Sequence, residues 1–146
     1  MKHIFSKTVA LVLAGLMLFA LASCASDKSA AVEKAFTKEK YTVTKADAND
    51  ETTQGILKLL LNEDQIQKIS EYEIMLCQPE GLLNIGKSAV VIKFPSSGDI
   101  KDFFTVEKDG KKDTSAYDEQ KEKGNINGNC LIITASDDTR AIFKKA

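Results

Sequence analysis

The chain has 146 residues, of which 43% are hydrophobic and 28% are charged. This length and composition are typical of one globular domain and exclude a disordered or collagen-like chain. The formal net charge is -1, from 20 Lys and Arg against 21 Asp and Glu, so no basic excess indicates a nucleic-acid partner. We therefore expect a single small domain that does not bind nucleic acid.

The first 23 residues have the parts of a secretory signal. Lys2 and Lys7 supply positive charge, an apolar run follows, and the segment ends in Leu21-Ala22-Ser23-Cys24. This tetrapeptide resembles the bacterial lipobox, and the resemblance implies that Cys24 is lipidated and becomes the first mature residue. A transmembrane anchor is one alternative, but the apolar run 8–22 is shorter than the roughly 20 residues of a span. A plain secretory signal is the other alternative, and the presence of Cys24 in the lipobox-like tetrapeptide argues against it.

Removal of the leader changes which chemistry the chain can perform. We divide the chain into a signal peptide (1–23), a lipidated tether (24–29) and a single α+β domain (30–146). The mature chain has 18 Lys and Arg against 21 acids, a net charge of -3, and it loses the only histidine, His3. Catalysis by Ser-His-Asp or Cys-His groups and the usual zinc sites are thereby excluded. We expect no enzyme activity, no metal and no cofactor.

The first half of the domain predicts alternating helices and strands. A short helix over about 30–37 precedes a strand at Tyr41-Thr42-Val43-Thr44 that ends near Asp47. Asp50 is placed to cap the next helix, and a turn signal at 62–65 predicts a restart of that helix.

Two strands follow, at 72–77 and 88–94. The segment between them holds Pro79, Gly81 and Gly86, so we predict a loop and antiparallel pairing. The remaining predicted elements are a helix begun by Ser96-Ser97, a turn at Asp109-Gly110, a short helix from Asp113 or Thr114 to Lys123, a strand at 129–135 and a terminal helix at 137–145.

The order of these elements predicts the fold. After the first helix it is β-α-β-β-α-β, the ferredoxin-like arrangement, in which helices cover one face of a four-stranded antiparallel sheet in the spatial order 4-1-3-2. A cystatin-like or other α+β sheet is the alternative. In the ferredoxin-like layout Cys77 and Cys130 lie on opposite edges, roughly 14 Å apart, whereas the Cα atoms of a disulfide lie within ~7 Å. This layout therefore predicts two free, buried cysteines, and a disulfide or reactive thiols are the alternatives in a compartment that permits disulfides.

Three segments carry a wider resemblance: Leu21-Ala22-Ser23-Cys24, the stretch from Phe36 to Tyr41-Thr42-Val43-Thr44, and Val90–Phe94 followed by Asp99–Phe104. In these the chain is similar to small lipoproteins that are common in gut-dwelling Gram-positive bacteria. The resemblance implies an anchor on the extracytoplasmic side of the cell membrane through lipid on Cys24. It implies no catalytic residues.

Three clusters of charged residues have a functional and a structural interpretation. The acids of 47–51 could begin a calcium loop, but Thr52 stands where an EF-hand needs Gly. An acid-rich helix N-terminus explains them, and a capped first turn explains Asp137 and Asp138 beside Arg140. The mixed charges of 108–123 are typical of a solvated face.

The loop of residues 78–86 is the remaining candidate site. It carries Leu82, Leu83 and Ile85, which would form an apolar contact patch for a partner if exposed. The alternative is a loop that folds back onto the core. The sequence thus favours a lipid-anchored, non-catalytic binding or interaction module of the cell envelope, with an envelope protein or a small ligand as partner. The alternative is an envelope enzyme that uses carboxylate or lysine chemistry.

Overall fold

The computed structural model describes residues 27–146, so the predicted signal peptide and Cys24 lie outside the described residues. The helices are α1 Ser29–Lys38, α2 Glu51–Leu60, α3 Glu63–Lys68, α4 Ser97–Phe104, α5 Ser115–Glu122 and α6 Asp137–Lys145. The strands are β1 Tyr41–Asp47, β2 Glu73–Pro79, β3 Ala89–Lys93, β4 Val106–Lys108, β5 Lys111–Asp113, β6 Ile126–Asn127 and β7 Cys130–Ile133, and a 3-10 helix spans Leu82–Lys87. In this part of the chain no helix has the length and apolar character needed to span a membrane.

Five strands form one antiparallel sheet in the order β1-β2-β3-β7-β6, so the predicted α+β class is confirmed. The ferredoxin-like topology is not confirmed. In the predicted order 4-1-3-2 the first strand lies inside the sheet, whereas β1 is an edge strand that pairs with β2 from Tyr41↔Pro79 to Asp47↔Glu73. The connection after β1 is two helices that break at Asn62, rather than one crossover helix. It returns the chain to the end of the sheet where β1 finished, so β2 runs antiparallel beside β1.

Helices cover both faces of the sheet, which corrects the predicted one-sided arrangement. Neighbouring residues on a strand point to opposite faces, and Ile74 and Met75 on β2, like Val91 and Ile92 on β3, are all fully buried. A sheet that is apolar on both sides needs cover on both sides. α2, α3 and α4 pack on one face, and α1 and α6 pack on the other.

Four predicted helix starts are confirmed by their side-chain caps. Asp50 Oδ2 accepts the backbone N–H of Thr53 at 3.2 Å, and Ser96 and Ser136 cap α4 and α6 in the same way. Asn62 forms a reciprocal capping box at the start of α3. Of the acids of 47–51, Asp47 ends β1, Asp50 caps α2 and Glu51 is the first residue of α2.

The charged segment after α4 forms a hairpin that the sequence did not predict. β4 and β5 pair through the predicted turn at Asp109-Gly110, where both residues have positive φ, 52° and 72°. These φ values fit a type I′ hairpin turn, which favours Asp-Gly. The hairpin is largely exposed and no residue of α5 is buried, so the mixed charges of 108–123 do form a solvated face.

Cys77 and Cys130 are free and buried, as predicted. The reason differs from the predicted one, because the two cysteines do not lie on opposite edges of the sheet. Only β3 lies between their strands, β2 and β7. Cys77 pairs with Ala89 and Cys130 with Lys93, at opposite ends of β3. Two strand spacings and four residue steps put them roughly 16 Å apart, too far for a disulfide.

Candidate functional site

A groove of about 920 Å³ lies between α1 and α6. Each wall is one helix face with the spacing i, i+3, i+4, i+7, which places side chains in a row. The α1 wall consists of Ala31, Lys34, Ala35 and Lys38, and the α6 wall of Asp138, Ala141, Ile142 and Lys145. The walls therefore combine small alanines with longer charged side chains.

The two helices run in opposite directions. Lys28, just before α1, donates its N–H to Asn129 beside β7 at 2.8 Å. Thr139, in the first turn of α6, donates its hydroxyl to the carbonyl of Lys87, which lies beside the start of β3. Because Asn129 and Lys87 lie at opposite ends of the sheet, the antiparallel walls put the α1 C-terminus beside the α6 N-terminus.

The turn from α1 into β1 closes one end of the groove. Lys40 has a φ of 62°, in the left-handed region that commonly ends a helix and favours glycine there. Its carbonyl accepts the N–H of Glu80 at 3.3 Å, and the Glu80 carbonyl accepts Asn84 Nδ2 at 2.9 Å. These bonds join the turn, the end of β2 and the 3-10 helix into one rim.

A buried hydroxyl chain lies beneath this rim. Thr139 Oγ1 donates to the Lys87 carbonyl at 2.9 Å and lies 3.1 Å from the Tyr41 hydroxyl. Thr139 has a single hydroxyl hydrogen, so the Tyr41 hydroxyl is the donor in the second bond. The Tyr41 ring also meets Phe36 edge-on, with centroids 5.1 Å apart. The floor thus ties β1, α1 and α6 together.

Cations outnumber acids in the groove lining. Its lysines are Lys34, Lys38, Lys40, Lys87 and Lys145, and its acids are Glu39, Glu80 and Asp138. Lys87 Nζ lies 3.3 Å from Asp138 Oδ2. The other four lysines make no ion pair with any described residue. Because the predicted mature chain is net negative, the groove is a local positive region that favours an anionic partner.

The predicted contact loop lies beside the closed end of this groove. It is a 3-10 helix that follows Gly81, whose φ is 93°. Leu83 is fully exposed, at 101%, and its neighbour Asn84 lines the groove. The side chains of Leu82 and Ile85 lie outside the part of the chain that the structure describes. Leu83 is thus exposed to solvent, and the apolar patch of all three residues stays a prediction.

Arg140, the only arginine of the chain, has a structural role. Nε donates to Asn125 Oδ1 at 2.6 Å, Nη2 donates to the Thr134 carbonyl at 3.1 Å, and Nη1 pairs with Asp137. The guanidinium therefore holds α6 against the end of β7 and the turn before β6. With its donors used in this way, it is committed to the scaffold rather than to a ligand.

Burial explains the state of the two described cysteines. Loss of solvent raises the pKa of the Cys77 and Cys130 thiols to about 12. Thiolate is the nucleophilic form of cysteine, so these residues behave as small core hydrophobes at neutral pH.

Three carboxyl groups have lowered pKa values because of local hydrogen bonds. Asp27 and Asp113 each accept hydrogen bonds from a serine two residues ahead, and Glu119 accepts one from Lys123. All three lie outside the groove lining. Within residues 27–146 no three potential metal ligands cluster.

The sequence alone did not reveal the groove. Both helices were predicted, but nothing in the pattern of either indicates that the first and last helices of the domain pack side by side. Comparison with family models, curated proteins and solved structures finds no match to this chain.

Proposed function

We propose that the chain is a lipid-anchored, non-catalytic binding module of the cell envelope, which takes an anionic partner in the groove between α1 and α6. The observation that carries this proposal is the groove itself: two facing helix walls that combine alanines and Ile142 with lysines. The lipobox resemblance at Cys24 supports the location, and the chemistry of the groove supports the binding role.

The shape of the groove favours an elongated partner. The walls run along two helices of 10 and 9 residues, which is a length of roughly 14 Å. The alanines and Ile142 supply apolar contact, whereas Lys34, Lys38 and Lys145 supply positive charge. A segment with an apolar stripe flanked by carboxylates or phosphates fits both features.

Leu83 extends the apolar surface beyond the closed end of the groove. Leu83 is fully exposed and its neighbour Asn84 lines the groove, so a partner that extends past the closed end would contact it. We propose that the partner occupies the groove and covers Leu83. Truncation of Leu83 should then weaken binding without a change in the fold.

A matched pair of charge-reversal variants tests this proposal. The groove variant is Lys34→Glu/Lys38→Glu/Lys145→Glu, and the control is Lys108→Glu/Lys111→Glu/Lys112→Glu on the exposed hairpin. Both change the net charge by the same amount. Each immobilised protein is used to capture proteins and polymers from envelope extract, and the bound material is identified by mass spectrometry.

We expect the wild type and the hairpin control to retain the same specific species and the groove variant to lose it. Partial loss with Leu83→Ala would add the predicted loop to the binding surface. Retention of the species by the wild type, the hairpin control and the groove variant alike would contradict the proposal. The absence of any specific species on the wild type would contradict it as well.

A further inference from the structure

The structure fixes the position at which the chain enters the domain. Asp27 Oδ2 lies 3.1 Å from Lys93 Nζ, and Asp27 Oδ1 accepts both the N–H and the hydroxyl of Ser29 at 2.9 and 2.7 Å. Lys28 donates its N–H to Asn129, which is 3% exposed. The predicted tether (24–29) is thus bonded to the domain from Asp27 onward, and α1 begins at Ser29.

Asn129 makes this entry point rigid. Its Nδ2 donates to the Phe94 carbonyl at 2.8 Å, and its own carbonyl accepts the Phe94 N–H at 2.8 Å. One buried amide therefore holds the entering chain against the end of β3. No unbonded linker separates Asp27 from the sheet.

The register of the strands places this entry at one end of the sheet. Asp47 pairs with Glu73, Glu73 with Lys93, and Lys93 with Cys130. We call this row of residues the entry end. We call the opposite end, where Tyr41 pairs with Pro79 and where the closed end of the groove lies, the groove end. Six residue steps along β1 separate the two ends by about 20 Å.

Only three Cα steps join Cys24 to Asp27, and a fully extended chain spans at most about 11 Å in three steps. A lipid on Cys24 would lie in the bilayer, so the entry end would be held within that distance of the membrane surface. Since Asp27 is bonded to the sheet, the tether leaves little freedom for the domain to turn over.

We infer that the domain stands on the membrane by its entry end and presents the groove end, with Leu83, away from the bilayer. This inference rests on the lipid anchor of the proposed function and deepens it. The closed end of the groove then faces the envelope beyond the membrane, whereas Ala31 and Lys145, at the other end of the groove, lie toward the bilayer. The short tether acts as an orienting device and not only as an anchor.

Single tryptophans test the orientation, because the chain has no tryptophan of its own. Ser97→Trp places an exposed probe just beyond the entry end, and Leu83→Trp places one at the groove end. The mature chain, beginning at Cys24, is coupled through the Cys24 thiol to a maleimide phospholipid in phosphatidylcholine vesicles that carry a dansyl headgroup acceptor. Cys77 and Cys130 are buried, so they do not compete for the coupling.

We expect energy transfer to the headgroup acceptor to be roughly twofold or more greater from Ser97→Trp than from Leu83→Trp, because about 20 Å separates the two ends. The same order is expected when the vesicles contain anionic phosphatidylglycerol. Insertion of about 20 Gly and Ser residues between Ala25 and Ser26 supplies a flexible linker and should abolish the difference.

Equal transfer from both probes, or greater transfer from Leu83→Trp, would overturn the inference and indicate a domain that lies flat or inverted. Chemical coupling makes this result independent of lipidation in the cell. A failure of the orientation is therefore distinguishable from a failure of the lipid anchor, which cell labelling measures separately.

Discussion

The Tyr41 hydroxyl donates a hydrogen bond to Thr139 Oγ1, 3.1 Å away and 98 residues later in the chain. Thr139 is fully buried and passes its own hydrogen to the Lys87 carbonyl. This chain of bonds joins the first strand to the last helix below the groove. The groove therefore depends on contacts between the two ends of the domain.

Loss of the Thr139 hydroxyl should lower the free energy of unfolding more than loss of the Tyr41 hydroxyl. Thr139→Val removes the bonds to both Tyr41 and Lys87, and we expect it to lower the free energy of unfolding by about 2–3 kcal/mol. Tyr41→Phe leaves the Thr139 bond to Lys87 intact and should cost about 1 kcal/mol. Urea unfolding of both variants measures the difference. An equal or greater loss for Tyr41→Phe would show that the hydroxyl chain is not arranged as described.

Glycine substitutions should have opposite effects at two positions. A Cβ at Gly55 would meet no atom within 4 Å in an exposed part of α2, so Gly55→Ala should stabilise the domain by about 1 kcal/mol. Gly124 has a φ of 76°, and a Cβ there would lie 2.6 Å from Lys144 Cδ. Gly124→Ala should therefore destabilise the domain. Thermal unfolding checks both signs, and stabilisation by both variants would contradict this environment for Gly124.

Asp27 should contribute stability that is lost in acid. Hydrogen bonds from the Ser29 hydroxyl, then from the Ser29 N–H, and the nearby Lys93 lower the pKa of Asp27 to about 2, from 3.8. A lowered folded-state pKa means that the stabilisation is full above about pH 4 and disappears as the pH falls toward about 2.

The measurement is the difference in unfolding free energy between wild type and Asp27→Asn as a function of pH. We expect a wild-type advantage above pH 4 that declines to zero near pH 2. Glu122→Gln, at an exposed carboxyl on α5 with no hydrogen bond to a described residue, is the control and should show no such decline. A difference that is constant across this range would refute the role given to Asp27.

The two core cysteines should be unreactive in the folded protein. A thiol whose pKa is about 12 is ionised at pH 8 in roughly one molecule in 10⁴, and burial blocks the reagent as well. In a variant without Cys24, we expect iodoacetamide to modify neither thiol before unfolding and both thiols in urea. An intact mass that shows a closed disulfide would contradict the separation of Cys77 and Cys130.

Local features of the fold were predictable from the sequence because their causes are local. Asp50, Asn62 and Ser136 begin helices through bonds to N–H groups three residues ahead, so their patterns are visible in a short window. The Asp109-Gly110 turn is visible for the same reason. The hairpin strands beside it were missed, because their polar residues pack against no core and give no hydrophobic signal.

Topology was not predictable, because it depends on contacts between distant segments. The local signal at Asn62 predicts the break between α2 and α3, but it does not specify that β2 then pairs with β1. The consecutive apolar residues of β2 and β3 do predict burial on both faces, and this signal was available in the sequence. The groove depends on the packing of α1 against α6, which no local pattern specifies.

The lipid on Cys24 is the central claim, since both the location and the orientation of the domain depend on it. The most direct measurement is the mass of the N-terminal peptide of the protein purified from its own cells, with Cys24→Ala as the control. We predict that the wild-type peptide begins at Cys24 and carries a diacylglycerol, and that Cys24→Ala carries none. A wild-type peptide that begins at another residue, or at an unmodified Cys24, would contradict the account.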